Sequence, residues 1–310
     1  MAALNLSDRP TRDDSLARRL AQLARSASTE IAPHDEGLLP VIRDKLAPGS
    51  TLYIAHTPKA TLEDVIRVAL RAQSLGFRAS PHIVARRLTS HRELRDALRE
   101  LREGGVEQIL LVAGDLERPA GPFKSTLDVI AGDMVANAGM PAVAFGAHPE
   151  GHKAIGPTVL MNALQAKQEF ARQTGIRVHI VTQFGFNPAA ICAWGARLAA
   201  NGIRLPIHVG VVGPAPLPKV IKFAMQCGVR SSLGALIRNM SALSAPEHLA
   251  IHPDEMLCGL VRGFAATPMN LERVHFYTFG GAVATASWLR AVGEGRFELL
   301  PDGARFSLSD

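Results

Sequence analysis

In this 310-residue chain, polar side chains of the kinds that move protons stand at the ends of short apolar, β-branched runs. Glu30 lies in STEIAP, His56 and Thr57 close TLYIAHTP, His82 lies in RASPHIVARR, and Gly114 and Asp115 end VEQILLVAGD. His148 and His152 bracket the loop HPEGH, and Gln183 follows RVHIVT. A carboxylic acid, several imidazoles, a second carboxylate and an amide around one ligand could donate and accept protons. Imidazole and carboxylate also ligate metals. HPEGH lacks the helical HExxH spacing, however, and Pro149 with Gly151 makes a turn rather than a rigid ligand platform. No GxSxG is present, which argues against a serine nucleophile on an elbow. Each residue also has a plainer reading. Asp115 could be a turn or cap aspartate, Gln183 a strand-end amide bonding loop backbone, and each histidine a satisfied loop residue.

A repeated strand–helix unit must position these groups. Leu16, Leu20 and Leu23 predict an amphipathic helix over Ser15–Ser26. Strands are then expected at 28–31 (weakly), 51–58, near His82, 106–115, PAVAF, RVHIVT, LPIHVGVV and 273–279. Between them helices are expected over Thr61–Leu75, Ser90–Glu103, Ser125–Ala138, Val159–Gln173, Pro188–Ala200 and Lys219–Cys227, with Val283–Val292 closing the series. The alternating charges of Ser90–Glu103 read as a solvated face. Alternating units in a chain of this length suit an α/β fold of the (β/α)8, or TIM, barrel type. The barrel is expected to be a single domain over 27–310, preceded by a polar segment and extra helix over 1–26. The two common phosphate-loop folds lack their fingerprints, since neither GxGxxG after a strand nor GxxxxGK[ST] occurs. In barrels of this kind, ligands bind at the carboxyl ends of the strands.

Bulk composition narrows the partners. A hydrophobic fraction of 47% supplies a sizeable core. The net charge is +6, but 34 basic and 28 acidic residues are interspersed and only 5% of the chain is aromatic, so nucleic acid is not expected. No apolar run approaches the roughly 20 residues that span a bilayer. Cys192, Cys227 and Cys258 are widely spaced, without CxxC, which argues against a zinc site or a disulfide framework and suggests a reducing, cytoplasmic setting. The amino-terminal helix offers a surface for a homo-oligomer.

Five segments occur in the order seen in methylenetetrahydrofolate reductases: AGD at 113–115, HPEGH at 148–152, VTQFGFN at 181–187, GVVGPAPLPKVIKFA at 210–224 and HFYTF at 275–279. The chain resembles that family over roughly residues 27–292. The resemblance implies a (β/α)8 barrel holding FAD at its strand ends. It implies hydride transfer from NADH or NADPH to the flavin, and from the flavin to 5,10-methylenetetrahydrofolate, giving 5-methyltetrahydrofolate. Glu30 would be the acid that opens the folate ring, and Asp115 would lie between flavin and pterin. His56, Thr57, His82, Gly114, His148 and His152 would touch the flavin, Asn162 and Lys167 its phosphates, and Gln183 and Leu217 the folate. The chain departs from the family pattern at Ala113, His148, Leu217 and Gly280-Gly281, where the family carries arginine, tyrosine, an aromatic residue and Asn-Arg. With Leu217 and Gly281 at those places, weak methyltetrahydrofolate binding is expected, and Leu217→Phe should tighten it. A folate-dependent methyltransferase or demethylation-pathway barrel, or a folate-binding barrel without flavin, is the alternative.

Overall fold

Eight parallel strands close on themselves in chain order: β1 (Ser28–Ile31), β2 (Thr51–Ile54), β3 (Arg78–Val84), β4 (Gln108–Val112), β5 (Ala142–Ala147), β6 (Arg177–Thr182), β7 (Ile207–Val212) and β8 (Leu271–Tyr277). The computed structural model describes residues 12–227, 229, 234, 250–267 and 269–309, so the polar segment expected before residue 12 lies outside the described residues. The chain is a TIM barrel and a single domain, as its alternating pattern requires.

The helices alternate with the strands: α1 (Arg12–Ser26), α2 (Leu39–Arg43), α3 (Leu62–Ser74), α4 (His91–Glu103), α5 (Thr126–Ala131), α6 (Met134–Asn137), α7 (Pro157–Thr174), α8 (Pro188–Ala200), α9 (Leu217–Gln226), α10 (Asp254–Ala266) and α11 (Ala282–Gly293). Local chemistry sets several boundaries. Thr61, Ser90, Ser125 and Asn187 each accept a backbone N–H of the following helix on the side-chain oxygen. In α4 the apolar stripe Leu94, Ala97, Leu98 and Leu101 is buried, while Asp96 pairs with Arg92 and Arg99 on the outer face, as its charge pattern suggested. Leu16 and Leu20 of α1 are buried in the main core, and Arg25 of α1 donates to the Gly293 carbonyl at 2.7 Å, tying this helix to α11.

Some elements differ from expectation. The helix expected over Ser125–Ala138 is two short ones, because Asp133 takes a left-handed backbone (φ 54°) that no regular helix accommodates. The strand expected over 51–58 stops at Ile54, leaving His56 and Thr57 in a loop. The weak strand at 28–31 is a full member of the barrel, paired with β2 and β8. A two-turn 3-10 helix at Pro33–Leu38, a short one at Ala85–Arg87, helices α2 and α10, a pairing of Ala215–Pro216 with Ala250–Ile251 and a closing hairpin of Phe297–Leu299 with Phe306–Leu308 complete the described elements.

The two faces of the barrel wall differ in chemistry. Outward residues such as Leu52, Ile54, Ile83, Ile109, Leu111, Val143, Phe145, Ile180, Val209 and Phe276 join the helices in one large apolar core. The interior, usually filled by Val, Ile and Leu in layers, is here largely polar. Glu30, Tyr53 and Ser80 stand in register across β1, β2 and β3, so their side chains share the inner face.

Candidate functional site

Glu30 sits on the inner face of β1 near its carboxyl end, with its side chain 13% exposed. Its backbone carbonyl accepts the Thr278 hydroxyl at 3.1 Å, and its carboxylate lies 3.7 Å from Nε2 of His275 on β8. Asp115 is exposed on the loop after β4. Gly114 before it has φ +87°, and a Cβ there would collide with Val84, so only glycine lets this turn close over β3. Gln183 follows β6 directly. Its side-chain Oε1 accepts the Phe184 N–H at 3.1 Å, which matches the plain strand-end reading. Its amide also meets the Cys227 thiol, which arrives from the end of α9. Cys227 is exposed at the surface, yet partial desolvation of its thiol raises its pKa to about 11, and the negative charges of Asp115 and Glu30 push in the same direction. Glu30 near the end of β1, Asp115 after β4 and Gln183 after β6 all stand at the carboxyl ends of parallel strands, so closure of the barrel brings them to one mouth.

His148 and His152 pack edge to face with ring centroids 4.9 Å apart on the loop after β5. Burial, reinforced by His152 and Lys167, lowers the His148 pKa to about 4, so His148 is a neutral imidazole. Together with Gln183, Phe184 and Cys227, His148 lines a narrow pocket. Across the mouth, a cleft of about 370 Å³ opens between His56, Pro58, Val84, Arg87 and Leu116. His56 Nε2 contacts the Ala60 carbonyl at 3.2 Å, while its Nδ1 and the Nε2 of His82 are buried with no partner among the described residues. Burial holds His82 down to about 3, with His275 and His56 adding to the effect. Thr57 contributes through its backbone, since its carbonyl accepts from Arg87 at 2.7 Å.

Three expected ligand residues do not join this gathering. Asn162 and Lys167 both lie on α7, but five residues apart on a helix they point about 140° from each other. Asn162 is exposed, whereas Lys167 is 6% exposed, with its ammonium 4.9 Å above the outward-facing Phe145 ring. Burial lowers the Lys167 pKa to about 8. Leu217 is 4% exposed inside an apolar cluster with Phe184, Val212, Ala215, Val220 and Ala224, so little of it faces the mouth.

Beneath the mouth lies a set of residues to which the sequence assigned no individual role: Tyr53, His179, His208, His275 and Tyr277. The Tyr53 hydroxyl is 3.0 Å from His179 Nε2 and accepts from Gln108 at 3.1 Å, and Gln108 also donates to Ser80 at 3.0 Å. The rings of His179 and His208 stack at 4.1 Å, and Glu272 stands 3.5 Å from His208 Nε2. His275 contacts the Tyr53 ring at 4.6 Å, and its Nδ1 lies 3.0 Å from Ser28 Oγ. Tyr277 donates its hydroxyl to the Thr182 carbonyl at 3.0 Å, and its pKa rises through burial and the nearby Glu30. The available signal was a lone polar residue in the middle of an apolar strand, repeated in RVHIVT, IHVGVV and RVHFY. In a barrel such a residue points inward. Among the described residues no cluster of His, Cys, Asp or Glu has the arrangement of a metal site, all three cysteines are free, and no helix is long and apolar enough to cross a membrane.

No protein-family model matches the chain. Among solved structures, an uncharacterized protein from Clostridium thermocellum that binds two copies of 5-methyl-5,6,7,8-tetrahydrofolic acid aligns over 89% of this chain and 99% of its own, with a TM-score of 0.53 at 13% identity. Dihydropteroate synthase from Thermus thermophilus aligns over 85% of this chain and 90% of its own, with a TM-score of 0.45 at 15% identity. N-acetylneuraminate lyase from Fusobacterium nucleatum aligns over 87% and 74%, with a TM-score of 0.45 at 11% identity. At such identities the likeness is one of fold.

Proposed function

We propose that this barrel binds a reduced folate in its mouth and performs acid–base chemistry on the pterin, with Glu30 as the proton donor. The observation that carries this reading is the convergence of Glu30, Asp115 and Gln183, the three residues that the family resemblance puts beside the pterin, at the carboxyl ends of β1, β4 and β6 in one closed barrel. A barrel of the same fold that binds methyltetrahydrofolate adds support. In this reading Asp115 accepts the N–H groups of the pterin edge and Gln183 offers its amide donors. Glu30 delivers its proton to the ring nitrogen that carries the one-carbon group, which weakens that nitrogen's bond to the carbon. His275 and Thr278 hold Glu30 on the inner wall.

The finer reading is hydride transfer from NADH or NADPH through FAD, which would make the chain a methylenetetrahydrofolate reductase-like oxidoreductase. In its favour are the sequence resemblance and the cleft beside His56, whose Nδ1 is buried with no partner among the described residues. Against it, the flavin-phosphate positions do not form a cradle, because Asn162 and Lys167 point apart and Lys167 is enclosed against Phe145. Bound flavin would supply a hydride carrier, but these residues fit its phosphates poorly. The flavin-free folate reading is therefore favoured. An absorbance spectrum of the purified protein, followed by calorimetric titration with 5-methyltetrahydrofolate, tests both. A colourless protein that binds the folate is expected. A yellow protein that releases FAD on denaturation would overturn the flavin-free form, and absence of any folate binding would overturn the reading itself.

A further inference from the structure

The cleft of about 370 Å³ beside the mouth holds charges of both signs that are not paired with one another. Glu63 from the first turn of α3, Arg87 after β3 and Glu93 from the first turn of α4 all line it. They surround the His56 ring, which Nε2 ties to the Ala60 carbonyl at 3.2 Å. Burial and then Arg87 lower the His56 pKa, while Glu63 and Glu93 act in the opposite sense. All three charges therefore stand within Coulomb reach of one neutral imidazole.

Opposite charges that share a cleft normally close on each other. Among the described residues Arg87 makes no ion pair with Glu63 or Glu93, and local bonds explain why. Arg87 donates to the Thr57 carbonyl at 2.7 Å, and Glu93 accepts the backbone N–H and the hydroxyl of Thr89 on a single oxygen. Both tethers use only part of the group, and Glu63 is exposed with no hydrogen bond or ion pair among the described residues. The rest of the wall is apolar. Leu62, Val84 and Leu88 are buried behind the charges, and Leu116 is 41% exposed at the lip. Two carboxylates against one guanidinium make the ionic lining net negative, which disfavours the phosphates of a dinucleotide.

We infer that this cleft binds a small zwitterion of the α-amino acid class, with its carboxylate on Arg87, its ammonium on Glu63 and Glu93, and its apolar side chain on Leu62, Leu88 and Leu116. A ligand with both charges completes each unpaired ion at once, which neither an anion nor a cation alone can do. The site is independent of the reduced-folate reading, although it lies beside it. The turn at 114–116 divides the two: Asp115 acts on the Cys227 thiol at the mouth, and the next residue, Leu116, lines the cleft. A role for the bound amine as the group that gives or receives a one-carbon unit rests on that reading.

The test titrates the full chain by calorimetry with L-leucine and with its two halves, isoamylamine (no carboxylate) and isocaproate (no ammonium). Leucine should bind about two- to tenfold more tightly than either half. Arg87→Gln should weaken leucine and isocaproate by a similar factor without weakening isoamylamine. Glu63→Gln should weaken leucine and isoamylamine without weakening isocaproate. Tighter binding of either half than of leucine, the same response (or none) of all three probes to both substitutions, or no heat from leucine at millimolar concentration would overturn the site. Glu63 is an exposed helix residue, so its variant remains informative should Arg87→Gln disturb the loop at Thr57. A parallel titration with 5-methyltetrahydrofolate separates the two ideas. Leucine binding without folate binding leaves the site standing and removes the reduced-folate reading, and folate binding without leucine binding does the reverse.

Discussion

Nε2 of His275 stands 3.7 Å from the Glu30 carboxylate, while Nδ1 of the same ring is 3.0 Å from the Ser28 hydroxyl. The imidazole is thus held between two residues of β1 that are two apart and share the inner face. Ser28 orients the ring, and the ring faces the acid. Removing the acid should cost chemistry more than binding. Glu30→Gln is expected to slow one-carbon turnover by about 10² or more while ligand affinity changes only a few-fold. His275→Gln should lower turnover in the same direction and by less, since it removes the neighbour and leaves the acid. Steady-state rates with parallel binding titrations check both. Loss of affinity equal to the loss of rate would remove Glu30 from the chemical step.

The buried imidazoles predict acid lability. Burial lowers the pKa of His82 to about 3, and it lowers those of His179 and His208 as well, whereas their unfolded counterparts titrate near 6.5. Between the folded and unfolded values the unfolded chain binds more protons, so stability rises with pH across that window. Stability is fully present above about pH 6.5 and declines as pH falls toward the folded values. His82 should contribute on the order of 1–2 kcal/mol of loss between about pH 7 and pH 5, with His179 and His208 acting in the same direction. Urea titrations at a series of pH values would show it, and His82→Asn should flatten the slope. A stability unchanged over that range would mean that these rings are solvated.

Lys167 has the opposite chemistry and the same sign. With a folded pKa of about 8 against 10.5 for the free side chain, the unfolded chain again binds more protons between the two values. Stability should therefore rise as pH increases from about 8 to 10.5. Lys167→Met keeps the stem and removes the buried charge, so it should stabilise the fold at neutral pH by about 1–3 kcal/mol, with the gain shrinking above pH 8. Thermal melts across pH decide the matter. A destabilised variant would mean that the ammonium holds an essential partner.

Leu217→Phe is the substitution for which sequence and structure disagree most. From sequence alone it restores an aromatic contact and should tighten folate binding. In the structure Leu217 is 4% exposed among Phe184, Val212, Ala215 and Val220, and the larger ring has no space. Overpacking of this kind costs about 1–3 kcal/mol. The variant should melt earlier and bind folate no better, which differential scanning and titration would report.

Features that depend on neighbours along the chain were legible in the residues themselves. The strand–helix alternation gave the barrel. Caps such as Thr61 and Ser90 placed helix starts within a residue, and Pro188–Ala200 matched end to end, because a helix boundary is settled by a few adjacent side chains. The left-handed Asp133 that splits one helix carried no comparable signal. The polar strand ends were legible because strand direction dictates where they emerge, and the structure does bring Glu30, Asp115 and Gln183 to one mouth. Only tertiary structure decided the rest. His179, His208 and His275 are single polar residues in separate apolar strands, and it is closure of the sheet that brings His179 and His275 onto Tyr53 and stacks His208 on His179. Asn162 and Lys167 look equivalent in a linear alignment, yet the pitch of α7 exposes one and buries the other. Leu217 is enclosed because α9 packs it against Phe184, Val212 and Ala215, a burial that no neighbour along the chain announces.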